Sequence, residues 1–124
     1  MKTQTLKRLR DAFEAARLVE LNTLGLSQEI YEADPWLRSA VERQFEIIGE
    51  AFNNARRLDP QLESHIPSFH EWISMRNFIA HMYDAVDNEV VWDTIEHDIP
   101  RLVLLLRDLI TNSQFPDQDS SPRS

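Results

Sequence analysis

A chain of 124 residues, 42% of them apolar and 27% charged, has the length and mix of one globular domain with a single hydrophobic core. Its two glycines are too few for the many positive-φ turns of a β-sandwich or barrel, and with no cysteine there is no disulfide, thiol nucleophile or cysteine-based zinc site. The net charge of -8 speaks against a broad nucleic-acid-binding surface, because phosphate contacts call for a basic footprint; it leaves room for a small basic cleft or a basic protein partner. No run approaches the length of a membrane span and the opening Met-Lys-Thr-Gln-Thr-Leu-Lys has no apolar signal core, so the reading is a cytoplasmic protein without membrane attachment.

The first predicted helix covers Lys2 to about Leu24, with Leu6, Leu9, Phe13, Ala16 and Val19 at steps of three and four, and Gly25 ends it at the position after the cap. Residues 26–33 form a short connector with room for one helical turn. Asp34-Pro35 then reads as an N-cap followed by a first-turn proline. The second helix carries Leu37, Val41, Ile47, Ile48, Ala51, Phe52, Ala55 and Leu58 and stops before Asp59-Pro60. Ser68-Phe69-His70-Glu71 has the capping-box pattern and starts a third helix. A fourth begins after the Asp84-Ala85-Val86-Asp87-Asn88 segment and runs to about Thr111 with Val91, Ile95, Ile99, Leu102, Val103, Leu106 and Ile110 as its stripe, and Pro100 predicts a kink within it. Short connections between long helices predict an all-α, antiparallel up-and-down bundle of four main helices over residues 1–113, followed by a polar, proline-broken tail over 114–124 expected to be disordered.

The third helix is apolar on two faces. At 100° per residue, Trp72, Ile73, Ile79 and Ala80 fall within about 80° of Phe69, while Met75, Phe78 and Met82 fall between about 180° and 240°. Such a helix is central in its domain or shared with a second chain, and in a domain this small the shared interface of a homodimer is expected. Arg76 and Tyr83 stand in the middle of its apolar face. Arginine is rarely buried without a partner, so Arg76 either pairs with an internal acid, Glu46 or Glu50 on the second helix, or waits in a cleft for an anion. Spacing alone favours the structural ion pair, the commoner arrangement. His81 lies one turn after Asn77, so their side chains are neighbours; a histidine near a helix C-terminus is also an ordinary partner of the helix dipole.

Together these residues suit phosphodiester cleavage. Histidine titrates near neutral pH and can take the proton of a ribose 2′-hydroxyl or protonate the leaving oxygen. Arginine offers a planar fork to the non-bridging phosphate oxygens. His65, His70, His81 and His97 show no paired-ligand spacing, so no metal and no other cofactor is expected, and His65 and His70 are expected to face solvent. A glycine-rich phosphate loop, a nucleophile elbow and a short basic recognition helix for DNA are all missing from the sequence.

Arg76-Asn77-Phe78-Ile79-Ala80-His81-Met82-Tyr83 resembles the R-x4-H-x-Y motif of the HepT toxins, a branch of the HEPN ribonuclease superfamily. Val41 to Ala51 is similar to the family's second-helix signature, Val90-Val91-Trp92-Asp93-Thr94-Ile95 to its fourth-helix opening, and Asp98-Ile99-Pro100 keeps its proline; the resemblance spans about residues 3–110. It implies a HEPN bundle whose two copies face each other across one composite cleft and cut RNA without metal. Arg76 would bind the phosphate, His81 would be the acid–base group, and Asn77 would orient His81 or the RNA. The implied partner is a small MntA-like nucleotidyltransferase antitoxin that uses ATP, in a pairing of the type VII kind, and its target would be Tyr83. AMP on that hydroxyl would fill the cleft with bulk and negative charge. The alternative reading is a non-catalytic helical subunit that helps a nucleotidyltransferase hold its substrate, with Arg76 and Tyr83 as binding residues.

Overall fold

The computed structural model describes the backbone of residues 1–81 and 87–120 and the side chains of 1–75 and 87–112. Among the described residues there are no strands. The helices are α1 (Thr3–Thr23), α2 (Gln28–Ala33), α3 (Pro35–Leu58), α4 (Phe69–His81), α5 (Asn88–Asp93) and α6 (Ile99–Ser120), with a 3-10 turn over Pro60–His65 and a π turn over Thr94–Asp98. The architecture is the all-α bundle that the sequence predicts, and no described helix is long and apolar enough to cross a membrane.

Local chemistry sets most boundaries. Gly25 follows the last residues of α1 with φ 79°, a value that costs glycine nothing. The Ser27 hydroxyl accepts from the Ile30 amide at 3.2 Å and starts the one-turn helix α2. Asp34 accepts from the Leu37 amide at 3.1 Å with Pro35 behind it, the cap expected for the long helix α3.

The entry to α4 differs from expectation. Ser68 sits at φ 61°, in the left-handed region, and no described hydrogen bond joins its hydroxyl to the Glu71 amide. The side chain of a capping residue reaches its target from extended backbone, so the capping box does not form. The Ser68 carbonyl instead accepts from the Trp72 amide at 3.0 Å.

The expected fourth helix is divided into α5, the π turn and α6. Pro100 is the cause: it has no amide hydrogen, and its ring would strike the carbonyl of Glu96 in a continuous α-helix. The backbone widens just before the proline, and the Ile99 amide donates to the Thr94 carbonyl, five residues back. α6 runs past position 113, where composition predicts the folded domain to end.

Leu9, Ala12, Ala16 and Val19 of α1 pack on Val41, Ile48, Phe52 and Ala55 of α3, and Leu102, Val103 and Leu106 of α6 complete the core. α1 and α3 are antiparallel: Arg8 and Lys7 lie beside Asn54 and Arg57, whereas Leu18 and Asn22 lie beside Leu37 and Val41. Phe13, expected on the α1 stripe, is partly buried under the Arg107 guanidinium, 5.8 Å from its ring centre.

Candidate active site

Aromatic pairs fix how α4 lies on α3. Phe52 and Phe69 stack with centroids 5.2 Å apart, and Phe45 meets Trp72 edge to face at 6.0 Å. Moving along α4 towards its C-terminus therefore moves along α3 towards its N-terminus. Arg76 is one turn beyond Trp72 on the same strip of α4, level with the Val41–Phe45 turn of α3. His81, the last residue of α4, is level with the turn 36–40. The backbone thus sets Arg76, Asn77 and His81 on the exit half of α4, alongside the entry half of α3. Their side chains, and all of Tyr83, lie outside the described residues.

The carboxylates proposed as mates for Arg76 have described positions. Glu46 is half-buried with its carboxylate 3.7 Å from Arg43. Glu50 is exposed in the groove that α3 forms with α1, beside Arg8 and Asp11. On the α4-facing strip stand Arg38 and Glu42, seven and three residues before Phe45. Neither residue stands out in the sequence by type or motif; the seven-residue step from Phe45 to Arg38 is the one signal for them.

Beneath this strip, α2 contributes Tyr31, fully buried, tilted against Trp92 of α5 with ring centres 5.5 Å apart. Among the described residues its hydroxyl has no hydrogen-bond partner, and neither has the buried Nε of Arg38. Burial, with Glu42 beside it, pushes the Tyr31 hydroxyl well above the ordinary tyrosine range. Desolvation likewise raises the Glu42 carboxyl; Arg38 pulls it back and Glu46 adds to the rise.

The other flank of α4 opens on a groove of about 440 Å³ whose lining includes Trp72, Met75, Asp98, Arg101, Leu102 and Leu105. Trp72 and Ile73 are buried and Met75 is half-buried on the groove side, so the described part of α4 carries both apolar faces. His65 and His70 are both exposed as expected, and His70 has its Nε2 2.7 Å from the Glu63 carboxylate. Among the described residues no group of three or more His, Asp or Glu side chains is placed to hold a metal ion.

A family model for the HepT-like ribonucleases matches residues 12–109, which takes in α4 and its whole surround. The chain belongs to that family. It is 38% identical over 94 residues to a Thermococcus cleftensis protein named Probable ribonuclease HepT, covering 76% of this chain and 84% of the relative. A Caldanaerobacter subterraneus protein whose name marks it as a candidate RNase is 34% identical over 86 residues, 69% of this chain and 76% of its own. A Methanocaldococcus jannaschii protein, whose name joins a gamma-glutamylcyclotransferase to a candidate RNase, is 32% identical over 94 residues, 76% of this chain but only 42% of that longer one. No solved structure matches. Ribonuclease chemistry, with RNA as its substrate, is the activity this family carries.

Proposed function

We propose that this HepT-like chain is the toxin of a two-component toxin–antitoxin pair, an endoribonuclease that cuts RNA without metal at a cleft shared by two copies. The observation that carries the reading is the placement of Arg76, Asn77 and His81 on the exit half of a helix whose described part is apolar on two flanks. Arg76 binds the scissile phosphate and stabilises the charge that develops on it. His81 takes the 2′-hydroxyl proton and returns one to the leaving 5′-oxygen, and Asn77, one turn away, orients it. The groove beside Met75, lined also by Trp72, Leu102 and Leu105, supplies apolar surface for the second copy. A nucleotidyltransferase antitoxin silences the enzyme by moving AMP from ATP to the Tyr83 hydroxyl.

Purified protein incubated with RNA in EDTA, beside His81→Ala, tests the catalytic part: cleavage by the parent and none by the variant is expected. Activity lost in EDTA and restored by a divalent ion removes metal independence; equal activity in both proteins removes the role of His81. Mass spectrometry of the chain co-expressed with its neighbouring nucleotidyltransferase is expected to find AMP on Tyr83, and Tyr83→Phe to escape it. An unmodified Tyr83 peptide in a fully neutralised toxin would mean inhibition by binding alone.

A further inference from the structure

Arg38 is the cation on the α4-facing strip of α3 that nothing explains. Among the described residues no carboxylate lies within ion-pairing distance of it, although Glu42 follows one turn later. Its Nε is buried without an acceptor, above a fully buried Tyr31 whose hydroxyl is also without a partner. Two unsatisfied polar groups at one spot are costly, and native proteins keep few of them without a use. The nearby acids do not answer the need: Glu46 is turned to Arg43, Glu32 is exposed and accepts from Gln28 at 2.7 Å, and Glu42 is desolvated rather than paired.

The register of the helices says what could. Arg38 stands level with the last turn of α4, where His81 ends the helix, and one to two turns from the level of Arg76. Resting on the ribonuclease reading above, we propose that Arg38 is a second phosphate-binding residue of the site, taking the RNA phosphate next to the one that is cleaved. Arg38 is half-buried as a residue, and a guanidinium suits an RNA phosphodiester because it donates charge-assisted hydrogen bonds to the non-bridging oxygens. In a chain of net charge -8, a cation outside any close ion pair is how a small basic spot survives.

The test is the salt dependence of RNA binding, measured with a short single-stranded oligonucleotide and the His81→Ala protein so that the RNA stays whole. Losing one phosphate contact lowers the log–log salt slope by about 0.7 for a single strand and weakens binding about tenfold or more, whatever the sequence. Arg38→Gln and Arg38→Met are both expected to show this, while Arg38→Lys keeps the slope. With His81 intact, Arg38→Gln should raise KM far more than it lowers kcat, the mark of an interaction made before the transition state. Arg38→Met is the safer variant for folding, because the buried Nε it removes has no partner to strand. An unchanged slope in folded variants overturns the inference alone; loss of fold in both neutral variants overturns it by assigning Arg38 to the architecture. If the parent chain neither binds nor cuts RNA, the ribonuclease reading itself falls and this inference with it.

Discussion

The two halves of the α3–α4 contact are built on opposite principles. At the entry of α4, Phe69 and Trp72 close on Phe52 and Phe45 of α3 in a wholly aromatic contact, and every ring is buried. At the exit, the facing strip of α3 offers Arg38 and Glu42 over a buried Tyr31, and the unpartnered Tyr31 hydroxyl and Arg38 Nε lie there. Among the described residues the first half is satisfied and the second is not. Stability is therefore concentrated at the entry of the helix, and capacity to bind something else at its exit, with one rigid helix holding both in register.

The largest expected effects fall on the exit half and on rate. Arg76→Ala and His81→Ala should each lower RNA cleavage by about 10²–10⁴-fold with the circular dichroism spectrum unchanged. The alternative for Arg76 is a structural ion pair, and its loss would then strand a buried carboxylate and cost about 3–5 kcal/mol in urea unfolding. A near-parental midpoint with lost cleavage supports the binding role, and a large drop in midpoint sinks it. The next effect belongs to the entry half and to stability. Phe52→Ala removes a fully buried ring stacked on Phe69 and should cost about 3–5 kcal/mol, while whatever folded protein remains keeps its kcat. A rate loss matching that of Arg76→Ala would show that the two halves are not separable.

Much of this was legible in the sequence. The stripe of α1, the cap at Asp34, the stop at Gly25 and the existence of each long helix follow from spacing and turn chemistry alone, because each depends on residues a turn apart. What escaped depends on contacts between elements. Tyr31 lies in a segment read as a connector, and only the packing of α2 between α3 and α5 makes it core. Phe45 stands outside the apolar stripe expected for α3, yet it anchors the register with Trp72. The π turn is a compromise forced by Pro100 that a kink predicts only in general terms. At the site, the motif on α4 could be read because its residues are close in sequence, whereas Arg38 and Glu42 join it only through the antiparallel pairing of two helices.

The smaller effects probe whether the exit half is truly unsatisfied. Tyr31→Phe removes a buried hydroxyl that bonds to nothing, so its unfolding free energy should equal or exceed the parent's by up to about 1 kcal/mol. A loss comparable to Phe52→Ala would mean the hydroxyl has a partner in solution.

Glu42 gives the finest probe, through pH. Its carboxyl is raised in the folded state, first by desolvation and then by the balance of Arg38 against Glu46. The folded chain therefore holds the Glu42 proton more tightly than the unfolded chain, and this contribution to stability is full at low pH and lost as pH rises through the folded value. Glu42→Gln cannot titrate. From about pH 4 to about pH 7 the parent should thus lose stability relative to Glu42→Gln, the reverse of what a salt-bridged glutamate does. The effect should be the smallest of the set, because the half-exposed side chain is screened by solvent. Urea midpoints of both proteins across that range decide it. If the parent instead gains on Glu42→Gln as pH rises, Glu42 is paired with a cation, and the exit half of α4 is satisfied from within after all.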